Sequence, residues 1–183
     1  MVVNYGEPWL LWPDKVSYGI NKGQISDTFE GGHDFTLSIN LKLLTIKDEK
    51  RTIFAKLPNY CGIDIEFNHK PLLILNVKKN GVEEHKYITS SFEINDNFNL
   101  LTFRYKRELG LVEVLINEIQ IIEYRLEHDE ELTIGHEPHI IFGAGNFPHN
   151  NFNMNFCSYE TDFLLISKSY LEYSKIMEIK NND

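Results

Sequence analysis

The chain is short of basic residues: 18 Lys and Arg stand against 27 Asp and Glu, a formal net charge of -9. A surface of that sign repels phosphate backbones and anionic headgroups on average, which sets nucleic acid aside as a partner. Cysteine is scarcer still, with Cys61 and Cys157 the 2 in 183 residues. That is too few for a small disulfide scaffold, and no Cys-x-x-Cys pair suits zinc. Both read as ordinary core or surface thiols, with a single bridge between them left open. Long apolar runs are missing as well. The Pro8-Trp9-Leu10-Leu11-Trp12-Pro13 stretch is far too short to span a bilayer, and no basic cluster precedes an apolar segment of secretory length. Membrane insertion is therefore not expected, and a cytoplasmic location is the default. Neither Gly-x-Gly-x-x-Gly nor the phosphate-loop signature occurs, and no strand–helix alternation accompanies them, which excludes nucleotide-binding α/β folds.

What the chain does have is a hydrophobic period of two. Phe35-Thr36-Leu37-Ser38-Ile39-Asn40-Leu41 alternates strictly and predicts a half-buried strand. Ile63-Asp64-Ile65-Glu66-Phe67 repeats the pattern, Asn68-His69-Lys70-Pro71 supplies a turn, and Leu72 to Val77 returns as a more fully buried strand. Asn80-Gly81 tolerates positive φ at both turn positions and leads into a strand near Glu84 to Thr89. Leu100 to Tyr105, Val112 to Ile116 and Ile119 to Tyr124 form three more, joined around Glu108-Leu109-Gly110 and at Asn117-Glu118. Ile140-Ile141-Phe142 and Met154-Asn155-Phe156 flank an unusual loop, and Thr161 to Ile166 makes the last strand. About a dozen short strands follow from these periods. Helical spacing is confined to Ser169 to Lys180, with Ser167 or Ser169 as the expected cap. The length fits one all-β domain over residues 1–183, standing alone or as a module of a longer protein.

From Asp34 onward the order of elements resembles the concanavalin A-like lectin and glucanase superfamily, including laminin G-like domains. The resemblance rests on Phe35-Thr36-Leu37-Ser38-Ile39 as opening strand, on the middle strands and their Asn117-Glu118 turn, and on Ile141-Phe142-Gly143-Ala144-Gly145. It closes on Asp162-Phe163-Leu164-Leu165-Ile166-Ser167 followed by a short helix. Phe98 stands where the family commonly has Trp before the middle hairpin, and Asn117-Glu118 replaces the usual Asn-Gly. The resemblance implies a two-sheet antiparallel jelly-roll sandwich with a short C-terminal helix. It also implies calcium, held by Asp, Asn and carbonyl oxygens; Asp27, Glu30, Asp34 and Asp162 supply oxygen, without the spacing of an EF-hand loop. No other cofactor is expected.

Glucanases of this superfamily carry Glu-x-Asp-x-Glu on one strand, because retaining hydrolysis needs two carboxyl groups about 5 to 5.5 Å apart. Here the segment is Gly62-Ile63-Asp64-Ile65-Glu66, so the nucleophile position holds glycine and the carboxylate motif is incomplete. His136, His139 and His149 cluster in sequence, but Pro138 argues against a helix that would align the first two rings on zinc. The Gly143-Ala144-Gly145-Asn146-Phe147-Pro148-His149-Asn150-Asn151-Phe152 loop is more suggestive. A sugar presents hydroxyls and C–H faces, which amides and aromatic rings match. Asn146, Phe147, His149 and Asn150 are the leading ligand-binding candidates, with Asn59, Tyr60, Arg104 and Tyr105 behind them. The expectation is a non-catalytic, lectin-like module that binds glycan, as one part of a protein acting on surface polysaccharide. The alternatives are a protein-interaction or structural laminin G-like module, and a glycoside hydrolase. Trp9 and Trp12 would either cap the sandwich or dock a neighbouring domain.

Overall fold

Each alternating stretch becomes a strand, and pairing register decides what each face buries. The computed structural model describes residues 2–3, 9–11, 32–44, 51–56, 61–66, 69–133, 140–142, 144–146, 154–157 and 159–182. Its strands are β1 (Val2–Val3), β2 (Trp9–Leu11), β3 (Phe35–Leu43), β4 (Arg51–Lys56), β5 (Cys61–Ile65), β6 (Pro71–Lys79), β7 (Val82–Thr89) and β8 (Asn99–Lys106). They continue as β9 (Leu111–Ile116), β10 (Ile119–Arg125), β11 (Glu130–Leu132), β12 (Ile140–Phe142), β13 (Ala144–Asn146), β14 (Met154–Phe156) and β15 (Tyr159–Ser167). Among the described residues one α-helix, α1 (Tyr173–Asn182), follows. The first sheet is ordered β1-β15-β3-β8-β9-β10, and the second joins β11, β6, β5, β4, β12 and β2, with β7 on β6. All the pairings are antiparallel. This is a jelly-roll sandwich with a short C-terminal helix, as the sequence led us to expect.

One set of alternate residues fills the space between the sheets. Phe35, Leu37, Ile39 and Leu41 of β3 join Leu101, Phe103 and Tyr105 of β8 and Val112, Val114 and Ile116 of β9 in one cluster. The second sheet contributes Phe54, Ile63, Ile65, Leu73, Leu75 and Val77 to the same cluster. Phe103 ties the sheets together, its ring 5.0 Å from that of Phe35 and 5.7 Å from that of Phe54. Each such ring removed from water contributes about 1.5–3 kcal/mol. Turns set the register: Asn80 at φ 51° and Gly81 at φ 82° make the two-residue mirror-image turn between β6 and β7. Asn117, at φ 54°, turns β9 into β10 while its Oδ1 accepts the Leu100 N–H at 3.1 Å.

The other face of the first sheet departs from the half-buried expectation. Thr36, Ser38 and Asn40, the polar set of β3, are buried too. The segment between β15 and α1 is tied to Thr36, and each side chain of the set is used: Thr36 Oγ1 donates to the Ser169 carbonyl at 2.7 Å and accepts the Leu171 N–H at 2.9 Å. Ser38 bonds Thr102 at 2.8 Å, and Asn40 donates to Asp162 at 2.6 Å. The helix therefore starts later than Ser167 or Ser169 predicts. Its first bonds run from Lys175 and Ile176 to the Glu172 carbonyl, and Ile176 then packs on Leu100, Phe163 and Leu165.

At the side of the sandwich β7 and β10 approach one another. The Glu130 side chain is fully buried there, with Lys86 Nζ at 3.1 Å, the Tyr124 hydroxyl at 2.9 Å and the Glu127 N–H at 3.0 Å. Burial alone would raise this carboxyl, but those three donors hold it below its ordinary value. Tyr124 is pushed up to about 12 by burial and by donating to Glu130.

Candidate functional site

Asn146 ends β13 and pairs with Met154 of β14, so chain connectivity puts residues 147–153 in the link of a hairpin. That hairpin lies beside β4. The sequence reading took the whole stretch as loop; β13 is the part it missed, because Ala144-Gly145-Asn146 carries no apolar alternation. Phe147, His149 and Asn150 fall outside the described residues, as do Asn59, Tyr60, His136 and His139. Residues 57–60 join β4 to β5 next to the Lys56–Cys61 pair, and Lys56 also pairs with Ile140 at the start of β12.

Arg104 and Tyr105 leave opposite faces of β8, and the structure does not bring them together. Tyr105 points into the core, 5.7 Å from the Phe35 ring, where burial raises its phenol. Arg104 points outward and is enclosed. Its Nε donates to Glu113 Oε2 at 2.9 Å, its Nη1 to the Leu171 carbonyl at 3.0 Å, and its guanidinium lies 4.4 Å from the centre of the Tyr170 ring. Tyr170 in turn donates to Glu113, and burial followed by this bond raises its pKa. These groups pin the segment before α1 to the first sheet.

Gly62 explains the incomplete carboxylate motif. A Cβ at this position would meet the Phe54 carbonyl oxygen of β4 at 2.2 Å, so the strand pair is built around the absence of a side chain. Asp64, two residues on, is fully buried opposite Thr52, while Glu66 accepts from Thr89 Oγ1 at 3.2 Å. For calcium, the described residues do not fit. Asp34 accepts the Arg107 N–H at 2.8 Å and Asp162 accepts from Asn40. Asp34 precedes β3, and Asn40 lies six residues further along, about 20 Å at strand rise. Asp27 and Glu30 lie outside the described residues, and no group of three or more His, Cys, Asp or Glu gathers among the described ones.

A surface that sequence reasoning missed runs along β7. On one edge of β6, β5 covers residues 71–74 and β11 covers 77–79; β7 takes the whole of the other edge. Among the described residues β7 pairs with β6 alone, making it an edge strand. Leu73, Leu75 and Val77 face the core, so Leu72, Ile74 and Asn76 face outward, and their cross-strand partners Thr89, Tyr87 and His85 share that face. Tyr87 is 45% exposed and its ring stands 6.3 Å from His85 at 30°. Asn76 is 1% exposed; its Nδ2 donates to Glu83 at 3.2 Å, which fixes the amide orientation, and its Oδ1 is buried without a partner. Leaving such an acceptor unsatisfied costs roughly 1–3 kcal/mol. The signal was present as Glu83-x-His85-x-Tyr87-x-Thr89, but only register tells which alternate set faces out.

No protein-family profile matches the chain. No curated protein sequence matches it either. Solved structures do. Botulinum neurotoxin type C, whose cell entry is dependent upon interaction with two ganglioside molecules, is similar at 12% identity and a TM-score of 0.61, covering 100% of this chain and 42% of that one. The binding domain of botulinum neurotoxin DC in complex with SialylT gives 12% and 0.62, with the same coverages. The same domain in complex with rat synaptotagmin II gives 11% and 0.61. A heptameric pentraxin from Limulus polyphemus matches at 14% and 0.51, over 79% of this chain and 68% of that one. At these identities the likeness establishes the fold, a jelly-roll sandwich, and this chain spans about two fifths of the length of the toxin chains, by the 42% coverage.

Proposed function

We propose that residues 1–183 act as one non-catalytic carbohydrate-binding module of a longer protein, lectin-like in the manner of concanavalin A-like and laminin G-like domains. The observation that carries this reading is the β13–β14 hairpin. Its first strand ends at Asn146 and leads into residues 147–153, a stretch rich in amides, imidazole and aromatic rings. The toxin structures add support: they share the sandwich and depend on or hold gangliosides and SialylT. In the module, Asn146 and Asn150 would bond sugar hydroxyls, Phe147 would stack on a sugar face, and His149 would orient between them. Placement of glycan near a partner activity, rather than bond cleavage, is the resulting role; the clash that a side chain at residue 62 would meet supports it.

The test is a glycan array with the purified protein, with calcium and with chelator, repeated for the Asn146→Ala/His149→Ala double variant. Saccharide binding that the double variant weakens tenfold or more is the expected result. Absence of any saccharide binding overturns the reading. The second reading is a protein-interaction module, favoured by the neighbouring toxin domain held with rat synaptotagmin II. A partner protein captured without saccharide dependence would decide for it.

A further inference from the structure

The geometry points to a second saccharide site on β7, separate from the hairpin: the outward row Glu83, His85, Tyr87 and Thr89, backed by Asn76 and Glu66, binds a neutral oligosaccharide lying along the strand. The inference rests on the glycan-binding reading and assigns it a surface and a ligand class. Residues two apart on a strand stand about 6.8 Å apart, so this row is roughly 20 Å long. A line of that length, open on an edge strand, suits a chain of sugars better than a single ring in a pocket.

The chemistry is what a neutral sugar chain needs. Tyr87 offers a half-exposed aromatic face at the centre of the row, extended by the His85 ring beside it. Glu83 presents a carboxylate with about four acceptor sites, of which the Asn76 amide uses one, and Thr89 with Glu66 makes a second hydroxyl–carboxylate pair at the far end. Asn76 Oδ1 is the independent sign of a ligand: it is buried, aimed to the same face, and has no donor. A saccharide hydroxyl reaching between Glu83 and His85 would supply one.

Charge selects the class. Carboxylates stand at both ends of the row, and the chain carries a net charge of -9. Lys78 stands opposite Glu83 on this face, whereas Lys86 faces the other way and is held by Glu84 and Glu130. Sialylated, sulfated or uronic-acid chains would meet like charge, whereas hydroxyls donate to the carboxylates.

Binding is measured by calorimetry in the Asn146→Ala/His149→Ala background, using the neutral oligosaccharide that scores highest on the array and a sialylated oligosaccharide of the same length. The background variant should keep measurable affinity for the neutral chain. Adding Tyr87→Ala should lower that affinity at least tenfold and Glu83→Gln several-fold, while Tyr87→Phe retains it. Unchanged urea midpoints for these exposed positions separate lost binding from lost fold. If the hairpin variant already abolishes saccharide binding, the β7 site is overturned and the module reading stands. Preference for the sialylated chain overturns the assigned class. If the unaltered protein binds no saccharide, the module reading falls and takes this one with it.

Discussion

Replacing Arg104 by Met tests whether the outer face of the first sheet is held by charge. Arg104 and Glu113 are side chains of 9% and 5% exposure with Nε and Oε2 2.9 Å apart. Their pairing is therefore a buried one, for which removing a single partner costs about 3–5 kcal/mol because the other charge stays behind uncompensated. Arg104→Met also loses the bond to the Leu171 carbonyl and the cation above Tyr170. Tyr170 still donates to Glu113, which softens the loss. The expected cost is about 4 kcal/mol. For a chain of this length that lowers Tm by roughly 8–16 °C. The double variant Arg104→Met/Glu113→Leu removes both charges, and its cost should fall to about 1–2 kcal/mol, mostly the partner that Tyr170 loses. Urea unfolding of the four proteins gives the coupling directly. A single-variant cost under about 1 kcal/mol, or a double variant that simply adds the two singles, would refute the argument.

Gly62→Ala puts a Cβ 2.2 Å from the Phe54 carbonyl oxygen, and since backbone must move the cost should reach about 3 kcal/mol in urea unfolding; a variant as stable as the parent sinks that account. Cys61 and Cys157 are buried and not joined in a disulfide, with burial pushing the Cys61 thiol up to about 12. A thiol reagent at mild alkaline pH should therefore label neither in the folded protein and both in urea, and labelling of either native thiol contradicts the burial. Glu130, its carboxyl held below its ordinary value, contributes stability that is complete above the unfolded carboxylate value and is lost as pH falls through the folded one. Glu130→Gln should flatten the stability-versus-pH curve below about pH 5; parallel acid limbs for the two proteins would disprove the role of Lys86 and Tyr124.

Most of the sandwich was legible because alternation reports strands whether or not their partners are known. The Phe35 to Leu41 alternation, the Asn80-Gly81 turn and the three middle strands all stand where the periods put them. Alternation does not report what covers the polar set. Thr36, Ser38 and Asn40 look solvent-facing in sequence, yet they are buried, and Thr36 bonds a segment more than 120 residues away along the chain while Asn40 bonds Asp162 of β15. The same contacts delay the helix, since Ser169 and Leu171 give their backbone groups to Thr36 instead of to a first helical turn. The site was less legible for a related reason. Arg104 reads as an available cation until Glu113, Leu171 and Tyr170 are brought around it. Tyr87 reads as one more strand residue until β7 is known to be an edge.

Where a ligand can act is set by which faces the chain has already used. The outer face of the first sheet is taken by the segment before α1 and by the helix, which pack on Thr36, Arg104, Leu100 and Leu165. The outer face of the second sheet is closed at its centre, where Ala55, Asp64, Leu72 and Ile74 are buried. A saccharide reaching either centre would have to displace packed side chains, with burial costs that a few hydroxyl contacts do not offset. On the proposed reading recognition falls to the margins: to β7, whose Glu83, Tyr87 and Thr89 are exposed, and to the β13–β14 hairpin. These two margins differ in chemistry, one a carboxylate-flanked line and the other an amide-rich link. If the proposed glycan binding holds, mutating them separately distinguishes a grip along a chain of sugars from a grip on a single end.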